Sequence, residues 1–282
     1  MKSPRIEISP FPLGKRIAVT TSFDDGAVHD RRVVQAFNEW GIKGTFNLNS
    51  GTLGRTGVKP PDGSKERIDA SEVADLYSGH EVAIHTVTHP WLQRLDRSQI
   101  ALEVLEDRKA LEDLVGYPVR GMAYPFGTYD QRVINILREL GIVYCRTVQN
   151  LANCFPAAEP LAWATTGHQY ATGPSIPEQF EKLYANKNYS GVFFPWGHSY
   201  EFHDRNDWDS LERIYKPLSG KPDVWYCTNI ELFDYEEARQ RIAIAANRKT
   251  AYNPSAISVT LNVDGRLVEV PPGQTVTLLS PE

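Results

Sequence analysis

The chain has 282 residues, 41% of them apolar and 23% charged, the balance of an ordinary globular protein with one large domain or one domain and a small appendage. Its 30 basic and 35 acidic residues give a net charge of −5, which argues against a nucleic-acid or anionic-membrane partner. Cys145, Cys154 and Cys227 are odd in number and lack CxxC spacing, which argues against a disulfide framework and a cysteine zinc site; no apolar run approaches the ~18 residues of a membrane span, "MKSPRIEISPFPLGKR" lacks the apolar core of a leader, and the expected location is the cytoplasm.

Short apolar runs and amphipathic segments alternate from residue 16 to about 230. "RIAVTTSF" reads as a strand, followed by a helix over roughly 29–40 that stops at Gly41. "KGTFNLNS" is the next strand, "ASEVADLYS" a short helix ended by Gly79, and "EVAIH" another strand. Asp96 caps a long helix over about 97–115, with Ile100, Val104, Leu111, Leu114 and Val115 as its inward stripe and Gly116 after its end. "RGMAYPFG" and "GIVYCRTV" are strands around a helix at about 129–140. "SGVFFPW" and "DVWYCT" complete the set, separated by helices near 177–186 and 207–218.

Strand and helix alternating this often imply parallel strands with helical crossovers. The expected fold is α/β, a distorted (β/α) barrel of about seven units over residues 1–248. After a helix at about 229–247 the chain turns β-rich, and Asp264-Gly265 marks a two-residue hairpin. Residues 249–282 are expected to be a β-hairpin appendage packed on the barrel or on a partner subunit, the route to a homo-oligomer. In a barrel, residues just past the C-terminal ends of the strands share one rim, where chemistry is placed. Asp24, Asp25, His85, His89, the Tyr124–Gly127 turn and His198 all fall at such positions.

The adjacent carboxylates of "TTSFDDGAVHD" repel each other unless a cation lies beside them. His85 and His89, four apart in "EVAIHTVTHPW", point the same way if one helical turn follows the strand, a common metal-ligand spacing. A divalent ion held by Asp25, His85 and His89 would neutralise one carboxylate and keep Asp24 ionised near pH 7. Three protein ligands leave a position open, as a catalytic zinc site requires.

With these residues quoted, the sequence resembles the polysaccharide deacetylase family over about residues 17 to 230, through "SFDDG", "HTVTH", "YPFG" and "FFPWGHSYEF". The resemblance implies a metal-dependent hydrolase that removes an acetyl group from an N- or O-acetylated saccharide or a related small amide. It implies Asp24 as general base, Asp25, His85 and His89 as ligands of Zn2+ (with Co2+, Ni2+ or Fe2+ as alternatives), and His198 as general acid. Tyr124, Pro125, Phe126, Gly127, Trp196, Tyr200 and Trp163 are the expected substrate-lining residues. With no leader in the chain, a soluble saccharide or other small amide is expected before intact cell wall or chitin.

Two departures stand out. Where the family's third motif reads Arg-x-Pro-Tyr-Gly, its Arg orienting the catalytic Asp, this chain has Ala123; Arg146, at the end of the next strand, is the expected replacement, forking onto Asp24, ahead of Arg120, which sits too early on its strand. The family's Asp-Trp motif, whose acid partners the late His, has no clean counterpart, and Trp163, His168 and Tyr170 occupy its region. Two other readings stay open: a carbohydrate-binding protein without turnover, motivated by Ala123, and a non-haem iron oxygenase, which also uses two His and one carboxylate.

Overall fold

The computed structural model describes residues 4–56, 66–152 and 154–278, so the outermost ends of the two expected segments, 1–3 and 279–282, lie outside the described residues. Its hub is the run 17–24, in two pieces, Ile17–Val19 and Ser22–Asp24. The first piece pairs in parallel with Gly191–Phe193 and Val224–Tyr226, the second with Pro195–Gly197 and Thr45–Leu48. From Thr45–Leu48 the sheet continues through Glu81–Ile84, Gly121–Ala123, Tyr144–Asn150 and Trp163–Thr165, all parallel. At its other edge Pro195–Gly197 carries Gly167–His168. The two edges of this eight-stranded sheet, Trp163–Thr165 and Gly167–His168, are separated only by Thr166, whose N–H donates to Phe194 O (2.8 Å). The chain itself spans the gap, and the result is a nearly closed parallel barrel.

Parallel strands need long crossovers, and helices supply them. Arg97–Val115 shows why the sequence makes one. Asp96 accepts from Gln99 N (3.0 Å), Gln99 answers as a capping box, and Gly116 closes the end at φ +74°. Of the expected inward stripe, Ile100, Val104 and Leu111 are fully buried, while Leu114 and Val115 pack only partly against the core. Burying each of the first three contributes about 1.5–3 kcal/mol, more than helix propensity offers. Asp30–Trp40, Gln131–Glu139, Ile176–Ala185, Asp209–Tyr215 and Asn229–Gln240 are the other main helices. Among the described residues, no helix is long and apolar enough to cross a membrane.

Two local expectations are corrected. The helix from 229 ends at Gln240 rather than 247, because Ala243–Ile244 pairs antiparallel with Thr250–Tyr252, which pairs in turn with Thr275–Thr277. A short apolar stretch such as "IAIA" suits helix or strand, and only the partner decides. Trp163–Thr165 and Gly167–His168 lie in a segment that carries no strand pattern, being two or three residues each. Val259–Val263 and Arg266–Val270 form a hairpin around Asp264 and Gly265, both with positive φ, as a two-residue turn of this type demands. Ile6–Ile8 adds to that hairpin as a third strand, so the terminal sheet draws on both ends of the chain.

Candidate active site

Asp24 ends its strand at the C-terminal rim and is 3% exposed. Asn47, one strand over, donates through Nδ2 to Asp24 Oδ1 (2.9 Å) and to Ser22 Oγ (2.8 Å). Arg146 Nη2 donates to the other oxygen, Oδ2. Burial by itself would raise the Asp24 pKa, but the charges of Arg146, His85 and His198 and the Arg146 hydrogen bond bring it down to about 2. Arg146 is fully buried, its guanidinium lies 4.4 Å over the ring of Trp196, and Nη1 turns to Thr147 O (3.4 Å). The contact to Asp24 is thus one hydrogen bond rather than the expected fork, since Nη1 is drawn off and Nε has no partner. Arg120 instead pairs with Asp234 (2.7 Å).

Asp25 turns away from Asp24 because its backbone is left-handed, φ +80°. Its Oδ1 lies 3.6 Å from Nε2 of both His85 and His89, and the three ligand atoms all fall within 4.8 Å of one another. The expected helical turn between the histidines is absent. Thr86 and His89 are left-handed, φ +68° and +60°, which breaks a helix, and the turn is tied by the His89 N–H donating to Thr86 Oγ1 (3.1 Å). Asp107 accepts from His85 N (3.0 Å) and Ser50 N (2.7 Å), fixing where the turn leaves the strand. His85 Nδ1 donates to Ala123 O (2.8 Å), a carbonyl that can only accept, so Nε2 keeps its lone pair toward Asp25. Burial holds the His85 imidazole neutral, its pKa down to about 4. Two imidazole nitrogens and a carboxylate oxygen, with His85 oriented from behind by the Ala123 carbonyl, fit a divalent ion. Asp25, Thr86, His89 and Phe126 are four non-glycine left-handed residues on one rim, each costing about 1–3 kcal/mol, a concentration of strain that marks functional sites.

His198 follows the strand Pro195–Gly197 and brings Nε2 to 3.9 Å from Asp24 Oδ2. Its Nδ1 faces Glu201 Oε1 at 3.7 Å, and Glu201 Oε2 lies 3.1 Å from His168 Nε2. Gln169 Nε2 also donates to Glu201 Oε2 (2.6 Å), and Tyr170 N to His168 Nδ1 (3.2 Å). Burial lowers the His198 pKa, but Glu201, Asp24 and Asp25 outweigh it and the net direction is upward. The loop is held from below: Ser199 Oγ and Tyr77 Oη (2.6 Å) both donate to the buried Asp30.

The remaining expected residues divide. Tyr124 is buried, its hydroxyl donating to Leu161 O (2.7 Å), and Pro125 is buried too, so neither offers a side chain to the rim. In that turn the N–H groups of Tyr124 and Gly127 bond Arg146 O and Tyr124 O. Phe126 is 46% exposed. Gly127 has φ +66° and a Cβ there would come within 2.4 Å of Val148. Trp196 packs its ring against Arg146 and His168, and Tyr200 lies 4.9 Å from His198. Trp163 is corrected: it is fully buried, donating to Cys154 O (2.9 Å) and packed on Phe194, Tyr144 and Phe233, because strand alternation turns it toward the helix Asn229–Gln240. Sequence reasoning passed over Asn47, Arg67 (Nη2 3.8 Å from Asp25 Oδ2), Asp107 and Glu201. Glu201, three residues after His198 at the start of a short helix, carried a readable signal; the others depend on neighbouring strands and loops.

Fold and site together define a β/α-barrel protein with an acid–histidine centre on its C-terminal rim. Residues 13–145, just under half of the chain, match the model of the family described as polysaccharide deacetylase. The chain is 31% identical over 110 residues, 39% of this chain and 23% of the relative, to chitin deacetylase 1 of Cryptococcus neoformans var. grubii. It is 28% identical over 129 residues, 45% of this chain and 25% of the relative, to a peptidoglycan-N-acetylglucosamine deacetylase of Listeria monocytogenes. The aligned region thus spans about a quarter of the length of either relative. A crystal structure of a candidate polysaccharide deacetylase from Mycobacterium smegmatis shares the fold, with a TM-score of 0.60, 18% identity, and 83% of this chain and 96% of that one covered.

Proposed function

We propose that this protein is a metal-dependent hydrolase that removes the acetyl group of an N-acetylated saccharide. The observation that carries the reading is Asp24, ionised by Arg146 and set beside the Asp25–His85–His89 cluster with His198 on its other side. Asp25, His85 and His89 would hold the ion, Zn2+ being the best match to two imidazoles and one carboxylate. A bound divalent ion supplies Lewis-acid chemistry, making water acidic enough near pH 7 to serve as a nucleophile. Asp24 accepts the proton of the attacking water, and its low pKa keeps it ionised for that task. Arg146 and Asn47 hold the carboxylate from opposite oxygens, so its orientation does not depend on substrate. A backbone N–H of the Tyr124–Gly127 turn, that of Phe126 at its exposed tip, is the donor for a developing oxyanion. His198, its pKa raised by the nearby Glu201 carboxylate, is the group placed to give a proton to the departing amine.

The Arg146 contact weighs against a binding protein without turnover, since it fills the role left open by Ala123. The test is acetate release from a panel of N- and O-acetylated saccharides by Zn2+-loaded protein, with Asp24→Asn as control. Turnover should fall roughly 10²–10⁴-fold in that variant, the range for loss of a general base. No acetate from any member of the panel, with the ion in place, would sink the proposal.

A further inference from the structure

Each of the adjacent carboxylates has a buried arginine of its own. Arg146 serves Asp24, and Arg67, 8% exposed, lies beside Asp25 with its Nη2 3.8 Å from Oδ2. The two oxygens of Asp25 thereby face different partners. Oδ1 is the one 3.6 Å from Nε2 of both His85 and His89, and Oδ2 is the one turned to the guanidinium. The segment that delivers Arg67 is attached without its side chain. The Arg67 N–H donates to Arg55 O (3.0 Å), Ile68 N–H to Gly26 O (3.0 Å) and Val28 N–H to Glu66 O (3.1 Å). Arg67 also bridges Ala27 in antiparallel fashion, so the segment is laced to the turn that follows Asp25.

An arginine that ties chain segments together bonds backbone carbonyls. Arg16 does so at Tyr184 O (2.8 Å), Asn186 O (3.0 Å) and Tyr189 O (3.1 Å). Arg67 does not: its Nε and Nη1 are buried with no hydrogen-bond partner among the described residues. Such a group is costly to bury, so its place needs a reason other than loop anchoring. Asp30 also feels its charge, but Ser199 and Tyr77 already donate to that acid. We infer that Arg67 is a positioning residue for the candidate ion site, holding Asp25 Oδ2 so that Oδ1 is the oxygen presented with the two imidazoles. A carboxylate turns about its bond to Cβ, and a cation on one oxygen fixes which oxygen faces the ion. Ala123 O does the equivalent for the His85 ring. The positive charge of Arg67 also repels an incoming ion, an effect of opposite sign. Orientation wins, because the guanidinium faces the oxygen that the histidines do not. The inference rests on the ion site of the proposed function and not on the bond that is hydrolysed.

The test is the Zn2+ dissociation constant, measured by chelator competition on full-length wild type and variants. Arg67→Met removes the charge and keeps the bulk, so the constant should rise roughly 10- to 100-fold, the usual loss when a ligand's outer partner goes. Arg67→Lys should recover most of the affinity, since one nitrogen faces Asp25 and no planar fork is needed. Melting of the ion-free proteins checks the fold; Arg67→Gln replaces the Met variant if that one does not fold. Weaker binding with recovery by lysine upholds the inference even if wild type releases no acetate, in which case only the deacetylase reading fails. Equal affinity in Arg67→Met overturns it and leaves the deacetylase reading standing. Tighter binding overturns it too, and makes Arg67 a charge that repels the ion. Equally weak binding by the Met and Lys variants, or a wild type that takes up no Zn2+, also overturns it.

Discussion

Replacing Arg146 by lysine tests whether geometry or charge alone prepares Asp24. The wild-type guanidinium is fully buried between Asp24 and the face of Trp196, with one nitrogen on each of Asp24 and Thr147. Lysine keeps a positive charge nearby but has neither the plane that lies on Trp196 nor the second nitrogen. One charge-assisted hydrogen bond is worth about 1.5–3 kcal/mol, and each 1.4 kcal/mol is a factor of ten, so kcat/KM should fall roughly 10- to 150-fold. Ion content should hold, because Arg146 bonds none of Asp25, His85 or His89. Arg146→Gln separates the second effect. Without the charge, burial dominates and the Asp24 pKa climbs from about 2. A general base works only when ionised, so the Gln variant should lose activity toward pH 4, while wild type, with Asp24 at about 2, and the Lys variant, which keeps the charge, show no loss from this group in that range. The assay is acetate-release kcat/KM from pH 4 to 9, with circular dichroism to confirm folding. A fully active Arg146→Lys protein, or an acid limb that does not move in Arg146→Gln, would refute the reasoning.

Purified protein should carry about one divalent ion per chain, as a three-ligand site implies, and His85→Ala, His89→Ala or Asp25→Ala should each lose it; elemental analysis with unchanged metal in all three removes the site. Glu201→Gln should move the alkaline limb of kcat/KM to lower pH with ion content unchanged. Glu201 is the first upward influence on His198 after burial has pulled it down, and a general acid fails once pH exceeds its pKa; an unmoved limb would mean that another group sets it. Glu81→Gln probes the opposite end of the barrel. Burial lifts the Glu81 carboxyl to about 7 although Tyr144, Thr45 and the Ile230 N–H all donate to it. An acid with a raised folded pKa costs stability as pH rises from its unfolded value through 7. Melting temperature of the variant minus that of wild type should therefore climb between pH 5 and 9, toward at most about 3 kcal/mol of stability; a flat difference contradicts it.

The strand ends that bear Asp24, His85 and His198 are legible in the chain because each follows a short apolar run that ends in a polar residue, and a parallel barrel gathers such positions on one rim. Glycines at 41 and 116 mark helix ends by a local rule that needs no partner, and both take the left-handed conformation it demands. The helix after residue 229 is different. Its stop at Gln240 is set by a strand 250–252 that no local pattern at 241–247 announces. The same holds for the pieces that close the barrel, Trp163–Thr165 and Gly167–His168, too short to have a period.

At the site, residue types and their order came from the sequence by itself: carboxylates after one strand, histidines after others, an arginine in the strand beyond Ala123, although that strand runs on to Asn150. Their orientation came from tertiary structure alone. Trp163 and Tyr124 are aromatic residues near the rim in sequence, yet both face inward, because a strand sends alternate side chains to opposite sides and the packing chooses which. Left-handed Asp25, Thr86 and Phe126 are held by contacts with Asn47, Asn49 and Trp91, which exist only once separate strands and loops lie together. Local sequence can specify what a strand end carries; the direction in which it points is a property of neighbours that are distant in the chain.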